Sequence, residues 1–375
     1  MSHFDVVVCG LGATGSAVLR ELSRRGLRVL GIERFEPGHD HGSSHGATRI
    51  IRLGYFEHPS YVPLLRRAYE LWRELEELSG KKIVHITGIA EIGPPEGSLI
   101  TGVLASVRMH SLRHELLSAE DLMRRFPAFQ LPPHYQAVVQ PDGGFLAAEP
   151  SIHVMLALAK NTGAEIRTGE IIRVIEPNST GVRIITDRGL IEAGAAVIAV
   201  GPWVNSILPD LRAPLRVTRQ VMAWFAPGNP ALFQLGHFPV FLMESRHGIH
   251  YGFPLDGDGL VKVAKHHHRD ETVDPETCDR TISITDESLI RAALIDHLPA
   301  ANGRRLMAAT CLYTVAPDGN FVIDSLPGYP HVVIASPCSG HGFKFAPVIG
   351  EILADLVTAC APRHEIGRFS LKRFG

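Results

Sequence analysis

The sequence predicts an α/β protein of two domains: a Rossmann-like nucleotide-binding domain with a β-rich second domain inserted into it. Three observations carry this. A buried-type strand, a glycine-rich turn and a helix open the chain. A strand, a glycine-rich turn and a helix recur near its end, and short strands dominate much of what lies between. With 375 residues and 45% hydrophobic content, the chain can bury one large core or two smaller ones.

Residues 4–9, FDVVVC, form a continuous apolar run of the kind that suits a parallel strand buried on both faces. Gly10-x-Gly12-x-x-Gly15 follows, then a helix whose face is Ala17, Val18, Leu19 and Leu22, closed by Gly26. Residues 27–33 supply a second strand ending in Glu33. This is a dinucleotide fingerprint in its proper context. The first glycine permits the tight turn, the second lets backbone approach a pyrophosphate, and the third packs helix on strand. The anion then sits on free N–H groups at the helix N-terminus. Glu33 stands where an acidic residue holds a ribose diol. That disfavours NADP but does not separate NAD from FAD.

An amphipathic helix is expected over 62–79, after which KKIVHITGIAEIG alternates like a strand. Residues 145–175 read as a helix and strands, 194–203 as another buried strand, 215–270 as β-rich, and 285–297 as a helix. The last stretch runs HVVIASPCSGHGFKFAPVIGEILADL, strand to turn to helix. The nucleotide domain is therefore expected from 1–85, 145–215 and 305–375, and the substrate domain from 86–144 and 216–304.

A formal charge of −2 suggests neither nucleic acid nor an anionic membrane as partner. No run of about 18 apolar residues predicts a membrane span, and no leader-like segment is evident. The five cysteines form no C-x-x-C pair, which fits a reduced protein with buried thiols. The expectation is a soluble, cytoplasmic protein.

Three stretches narrow the choice of cofactor: HGSSHGATRIIRLGY (41–55), GLVKVAKH (259–266) and SGHGFKFAPVIGEILADL (339–356), with TCLYT before the last. In this order the chain resembles, end to end, the monomeric sarcosine oxidase and N-methyl-L-tryptophan oxidase family. The resemblance implies FAD, bound covalently through a cysteine, and oxidation of N-methyl or other secondary amino acids by O2, in a monomer. It implies that Cys311 is the attachment site. Arg52 and Lys344 would hold the substrate carboxylate, and Arg49 would lie near the flavin ring. Lys262 and His266 would stand on the catalytic face, with Lys262 implicated in oxygen activation and Tyr251 lining the pocket. Ser44, His45 and Thr48 would belong to the loop around the cofactor, with Gly10, Gly12, Gly15, Glu33, Gly340, Gly342 and Phe343 as further cofactor contacts. Oxidation of cyclic imino acids or glycated amino acids is the alternative on this scaffold. An NAD-dependent dehydrogenase and a non-catalytic flavin-binding protein are more distant readings.

The residues can also be weighed without the resemblance. Arg49 and Arg52 share a face if their segment is helical. Their neighbours Ile50 and Ile51 are apolar, and buried guanidinium groups need anions. Lys344 precedes a helix, where a cation is disfavoured by roughly 0.3–1 kcal/mol, as suits a site that must attract an anion. Lys262 and His266 would share one face of a regular strand with Ala264. Consecutive histidines on a strand do not converge on one metal, and His267 and His268 read as a solvent-facing basic patch. Cys311 alone, among apolar neighbours, reads as a buried thiol. Pro337 and Cys338 depart from the family's usual glycines and apolar residue, and Leu242 stands where sarcosine oxidases carry a methionine.

Overall fold

The computed structural model describes residues 4–209, 211 and 214–375. Its first sheet is built on Phe4–Cys9, which pairs in parallel with Val29–Ile32 on one side and with Gly189–Ile198 on the other. Glu165–Arg167 extends the sheet beyond Val29–Ile32. Tyr329–Ser336 adds in parallel to Gly189–Ile198, and the hairpin Ile172–Pro177/Val182–Thr186 adds antiparallel to that strand's first half. Val7, Val8, Cys9, Leu30, Ile32, Ala196, Val197 and Ile198 are wholly buried, which is why these strands read as unbroken apolar runs. The helices Ala13–Arg24, Ala148–Asn161 and Ala346–Val357 pack together beside this sheet, and Val62–Ser79 packs against the last two.

The second sheet has eight strands in the order Arg305–Val315, Arg216–Phe225, Val261–Lys265, Gly248–Leu255, Val240–Ser245, Ile89–Gly93, Gln136–Gln140, Glu115–Ser118. All its pairings are antiparallel except that of Val240–Ser245 with Ile89–Gly93. A small third sheet joins Thr48–Ile51, Gly144–Ala147 and Val84–Ile86. The fold is thus α/β with a β-rich second layer, as expected.

Two expectations need correction. The sequence places 305–375 in the first domain, but Arg305–Val315 is hydrogen-bonded along its whole length to Arg216–Phe225 in the second sheet. Arg49 and Arg52 are not one helical turn apart: Thr48–Ile51 is a strand, and Arg52 follows it. Three β-branched residues in four favour that choice. Arg49 turns to the carbonyl of Ser43 and Arg52 to Glu57 and Glu91, so the two guanidinium groups serve different places.

Candidate active site

Gly10 has φ +87°, a left-handed conformation that favours glycine. A Cβ on Gly15 would stand 1.8 Å from the Gly10 carbonyl oxygen, so only glycine lets the helix Ala13–Arg24 start this close to the strand. Glu33 folds back under this turn, its carboxylate accepting the Leu11 amide at 2.7 Å and the Phe35 amide at 3.1 Å. Burial pushes the Glu33 carboxyl up, but His39 and these two amides more than offset it, so the group is held below its ordinary range. Ser44 Oγ accepts the Ala13 amide at 3.3 Å, which brings the 42–48 loop onto the helix N-terminus.

One cavity of about 450 Å³ runs from this turn into the second sheet. Gly10, Gly12 and Glu33 line one part of it; Cys311, Tyr251, Arg52 and Lys344 line another. Ser43 Oγ and Ser336 Oγ lie in its wall, buried and without a hydrogen-bond partner. Buried polar groups are nearly always paired, so these atoms await a polar ligand. Together with the glycine cradle at the start of the helix they fit FAD: the turn from Gly10 to Thr14 would receive the pyrophosphate, the Ala13 amide exchanging Ser44 Oγ for it, and Glu33 would receive the ribose.

The 42–48 loop organises the cations at the junction. Arg49 donates to the carbonyls of Thr48 and Ser43, each at 2.9 Å, and to that of His45. Lys262 Nζ donates to the carbonyls of Gly46 at 2.6 Å and Thr48 at 2.9 Å, with Thr48 Oγ1 at 3.2 Å. On the other side of the turn, the Glu149 carboxylate accepts the amides of Gly46 and Ala47. Burial, then Arg49, pushes the Lys262 amine well below its ordinary value. Lys262 is thus close behind the cavity rather than in its lining. His45 is buried beside it and burial holds its imidazole at about 4.

Strand alternation places Lys262 and Ala264 on one face of Val261–Lys265, but the strand ends before His266. The His266 amide still donates to Ile249 O at 2.8 Å, and its ring lines the cavity beside Tyr313. Burial pushes the His266 imidazole down to about 3, so it is neutral at physiological pH. His268 is no solvent-facing residue. It is buried, with Nε2 on Asp286 Oδ1 at 3.0 Å, and Asp286 also takes both Arg219 nitrogens at 3.0 and 3.1 Å. The strand ends at Lys265 and the chain turns at His267, which has φ +53°, so strand alternation does not extend to His268.

Cys311 is buried and lines the cavity. Burial raises its thiol pKa, and Arg49 and Lys262 oppose that rise. Arg52 is buried and held by two acids. Its Nη2 meets Glu57 at 2.9 and 2.7 Å, and its Nη1 meets Glu91 at 3.3 Å and the Gly54 carbonyl. Lys344 lies in the turn Phe343–Phe345 ahead of the helix Ala346–Val357. It is buried, not solvated, and donates to His341 O at 2.8 Å. Burial, then Arg52, lowers its amine to about 7. Gly340, Gly342, Phe343, Leu242, Pro337 and Cys338 also line the cavity.

Sequence reasoning missed Glu57, Glu91, Tyr313 and His341. Tyr313 had a signal: it stands two residues beyond Cys311 on one strand, hence on the same face.

A family model described as FAD dependent oxidoreductase matches residues 5–356. The chain belongs to that family. It is 39% identical over 374 residues to the monomeric sarcosine oxidase of Streptomyces avermitilis, covering 99% of this chain and 97% of the relative. It is 35% identical over 373 residues to the N-methyl-L-tryptophan oxidase of Salmonella typhi, covering 99% of each. Within the FAD-dependent oxidoreductases, then, the chain sits with these two kinds of oxidase, as its motifs implied. Among solved structures it is similar to NikD, described as an unusual amino acid oxidase essential for nikkomycin biosynthesis. That match has 29% identity and a TM-score of 0.86, covering 99% of this chain and 98% of that one. Among the described residues, no helix is long and apolar enough to cross a membrane.

Proposed function

We propose that this FAD-dependent oxidoreductase is an oxidase that removes the methyl group from N-methyl amino acids. Its overall reaction takes the N-methyl amino acid, O2 and water to the amino acid, formaldehyde and H2O2. The observation that carries this is the single cavity shared by the dinucleotide turn and by Arg52, Lys344, Tyr251 and Cys311. FAD, when bound, supplies a two-electron acceptor that O2 restores.

The chain's own residues would bind, orient and dehydrate. Arg52 and Lys344 are two buried cations lining one place, and a substrate carboxylate matches them. Arg52 can take it only by sharing or releasing Glu57. Leu242, Tyr251, Phe253 and Phe343 form an apolar wall that excludes water from the amine. His266, neutral, adds no charge that would repel a substrate amine. Arg49 would place positive charge near where negative charge develops on O2, and the Lys262 amine, behind the cavity wall on the same loop, would take a proton as that charge builds. Cys311 would hold the flavin covalently. On this reading the first sheet with its helices serves FAD and the second sheet serves the substrate. The protein would work as a cytoplasmic monomer; gel filtration checks the oligomeric part.

The test is a panel of N-methyl and cyclic amino acids scored for both peroxide and formaldehyde. Equal amounts of the two from an N-methyl amino acid are expected. Peroxide without formaldehyde across the panel would replace demethylation with oxidation of cyclic or glycated amino acids. Flavin without peroxide from any secondary amine would leave a binding protein.

A further inference from the structure

Glu91 is a fully buried acid that the proposed reaction does not use. It lies on Ile89–Gly93, cross-strand from Leu242, which in turn faces Tyr251. Paired residues share a sheet face, so Glu91 stands on the side that carries the substrate pocket's Leu242 and Tyr251. Its Oε1 meets Arg52 Nη1 at 3.3 Å, and its Oε2 has no partner. A buried carboxylate with one long contact is poorly satisfied, and a second acid, Glu57, already takes Arg52 through both of its oxygens.

We propose that Glu91 is a positioning residue that sets the specificity of the pocket for anions: it competes for Arg52, so that a substrate carboxylate binds only with Glu91 protonated. This rests on the reading of Arg52 as the carboxylate clamp. The charges decide the matter. With Glu57 and Glu91 both ionised, Arg52 is over-neutralised and a third anion is repelled. With Glu91 protonated, Arg52 and Glu57 cancel and the substrate carboxylate meets no net negative charge, with Lys344 adding attraction wherever it holds its proton. Where Glu91 is ionised beforehand, binding takes one proton from solvent onto its carboxyl, and no other bond changes. Burial holds that carboxyl up at about 8, with Arg52 pulling it down and Glu57 adding to the rise.

The other titratable groups in this neighbourhood do not supply the same step. Tyr69 faces Arg52 and Glu91 from the helix Val62–Ser79, but burial pushes its hydroxyl far above the working range. Tyr55, over which Arg52 lies, is likewise raised. Burial resists the ionisation of Glu57, but Arg52, His341 and Lys344 hold it at about 2. Burial holds His341 at about 4. Glu244, on the neighbouring strand, is turned to the amide of Leu99 and the hydroxyl of Ser98. Lys344 does lose its proton near 7, but it does so in wild type and in a Glu91 variant alike.

The test is calorimetry on the FAD-loaded protein with methoxyacetate, in which an ether oxygen replaces the amine, at pH 6.5 and pH 9 in two buffers of different ionisation heat. Glu91→Gln is expected to bind about tenfold more tightly than wild type at pH 9, to match it at pH 6.5, and to take up less proton at pH 9. Glu91→Leu, with its melting temperature measured, should show the same removal of the pH step. Affinity and proton uptake identical to wild type at both pH values would overturn the proposal. Arg52→Gln separates the two layers of argument. If it keeps full affinity for methoxyacetate, the clamp reading itself fails. If it loses affinity while both Glu91 variants track wild type, only the role of Glu91 fails.

Discussion

Glu33 and Leu11 are tied across the first strand–turn–helix–strand unit: the Glu33 carboxylate takes the Leu11 amide at 2.7 Å, inside the glycine turn. The residue that would hold the ribose therefore also fixes the loop that would hold the pyrophosphate. Glu33→Ala is expected to strand two amides, at a cost of about 1–3 kcal/mol. Both a lower melting temperature and a lower flavin-to-protein ratio should follow. Unchanged flavin content would remove Glu33 from the cofactor site.

Gly15→Ala would press a methyl group into the Gly10 carbonyl, 1.8 Å away. Backbone cannot yield that far without moving the helix. The expected outcome is little or no folded, flavin-loaded protein, read by absorbance and by circular dichroism. A yellow, normally melting variant would contradict the close packing described here.

Lys262 satisfies two carbonyl oxygens of the loop that also receives Arg49. Lys262→Met is expected to slow flavin reoxidation by O2 by about 10²–10³, with a smaller effect on flavin reduction by substrate. Rapid mixing separates the two half-reactions. Equal slowing of both would point to a disturbed loop instead.

The buried cluster of Arg219, Asp286 and His268 ties the second sheet to the helix Ile284–His297. Burial opposes ionisation of Asp286, but Arg219, Ser283 and His268 hold its carboxyl far below the usual range. A depressed acid stabilises above its unfolded pKa and loses that contribution as pH falls. Burial also lowers the His268 pKa, so its unfolded form gains a proton first as pH drops below about 6.5. Both groups make the fold less stable in acid. Asp286→Ala leaves the Arg219 guanidinium buried without its anion and His268 without its hydrogen-bond partner, at a cost of about 3–5 kcal/mol. Melting curves between pH 4 and pH 8 check the size and the sign; a flat profile in wild type would reject it.

Cys311→Ser tests the covalent bond. After acid precipitation, wild-type flavin is expected in the pellet and the variant's flavin in the supernatant. Free flavin from both would show that the bond does not form.

The first sheet was legible because a strand buried on both faces is apolar at every position, and because the turn can be built only with glycine. Glu33 was legible for its spacing. Cys311 was not: its surroundings say buried thiol, which it is, and only the resemblance of nearby motifs gave it a role. Arg49 and Arg52 misled because an i,i+3 spacing has no periodicity of its own; the β-branched residues around them carried the better signal. Glu91 reads as the polar position of an alternating strand, yet a helix, Ser98–His110, and neighbouring strands enclose that strand. His268 looks solvated in the sequence because its partner, Asp286, lies 18 residues away. Burial that depends on distant segments leaves no local pattern.

Cys311 stands on an edge strand of the second sheet, bonded there to Arg216–Phe225, while the nucleotide turn belongs to the first sheet. A thioether at Cys311 would make the cofactor a tether between them. Opening of the first sheet would then not release the nucleotide, and its return would be a unimolecular event, independent of how much free FAD surrounds the protein. Only the first loading would depend on supply.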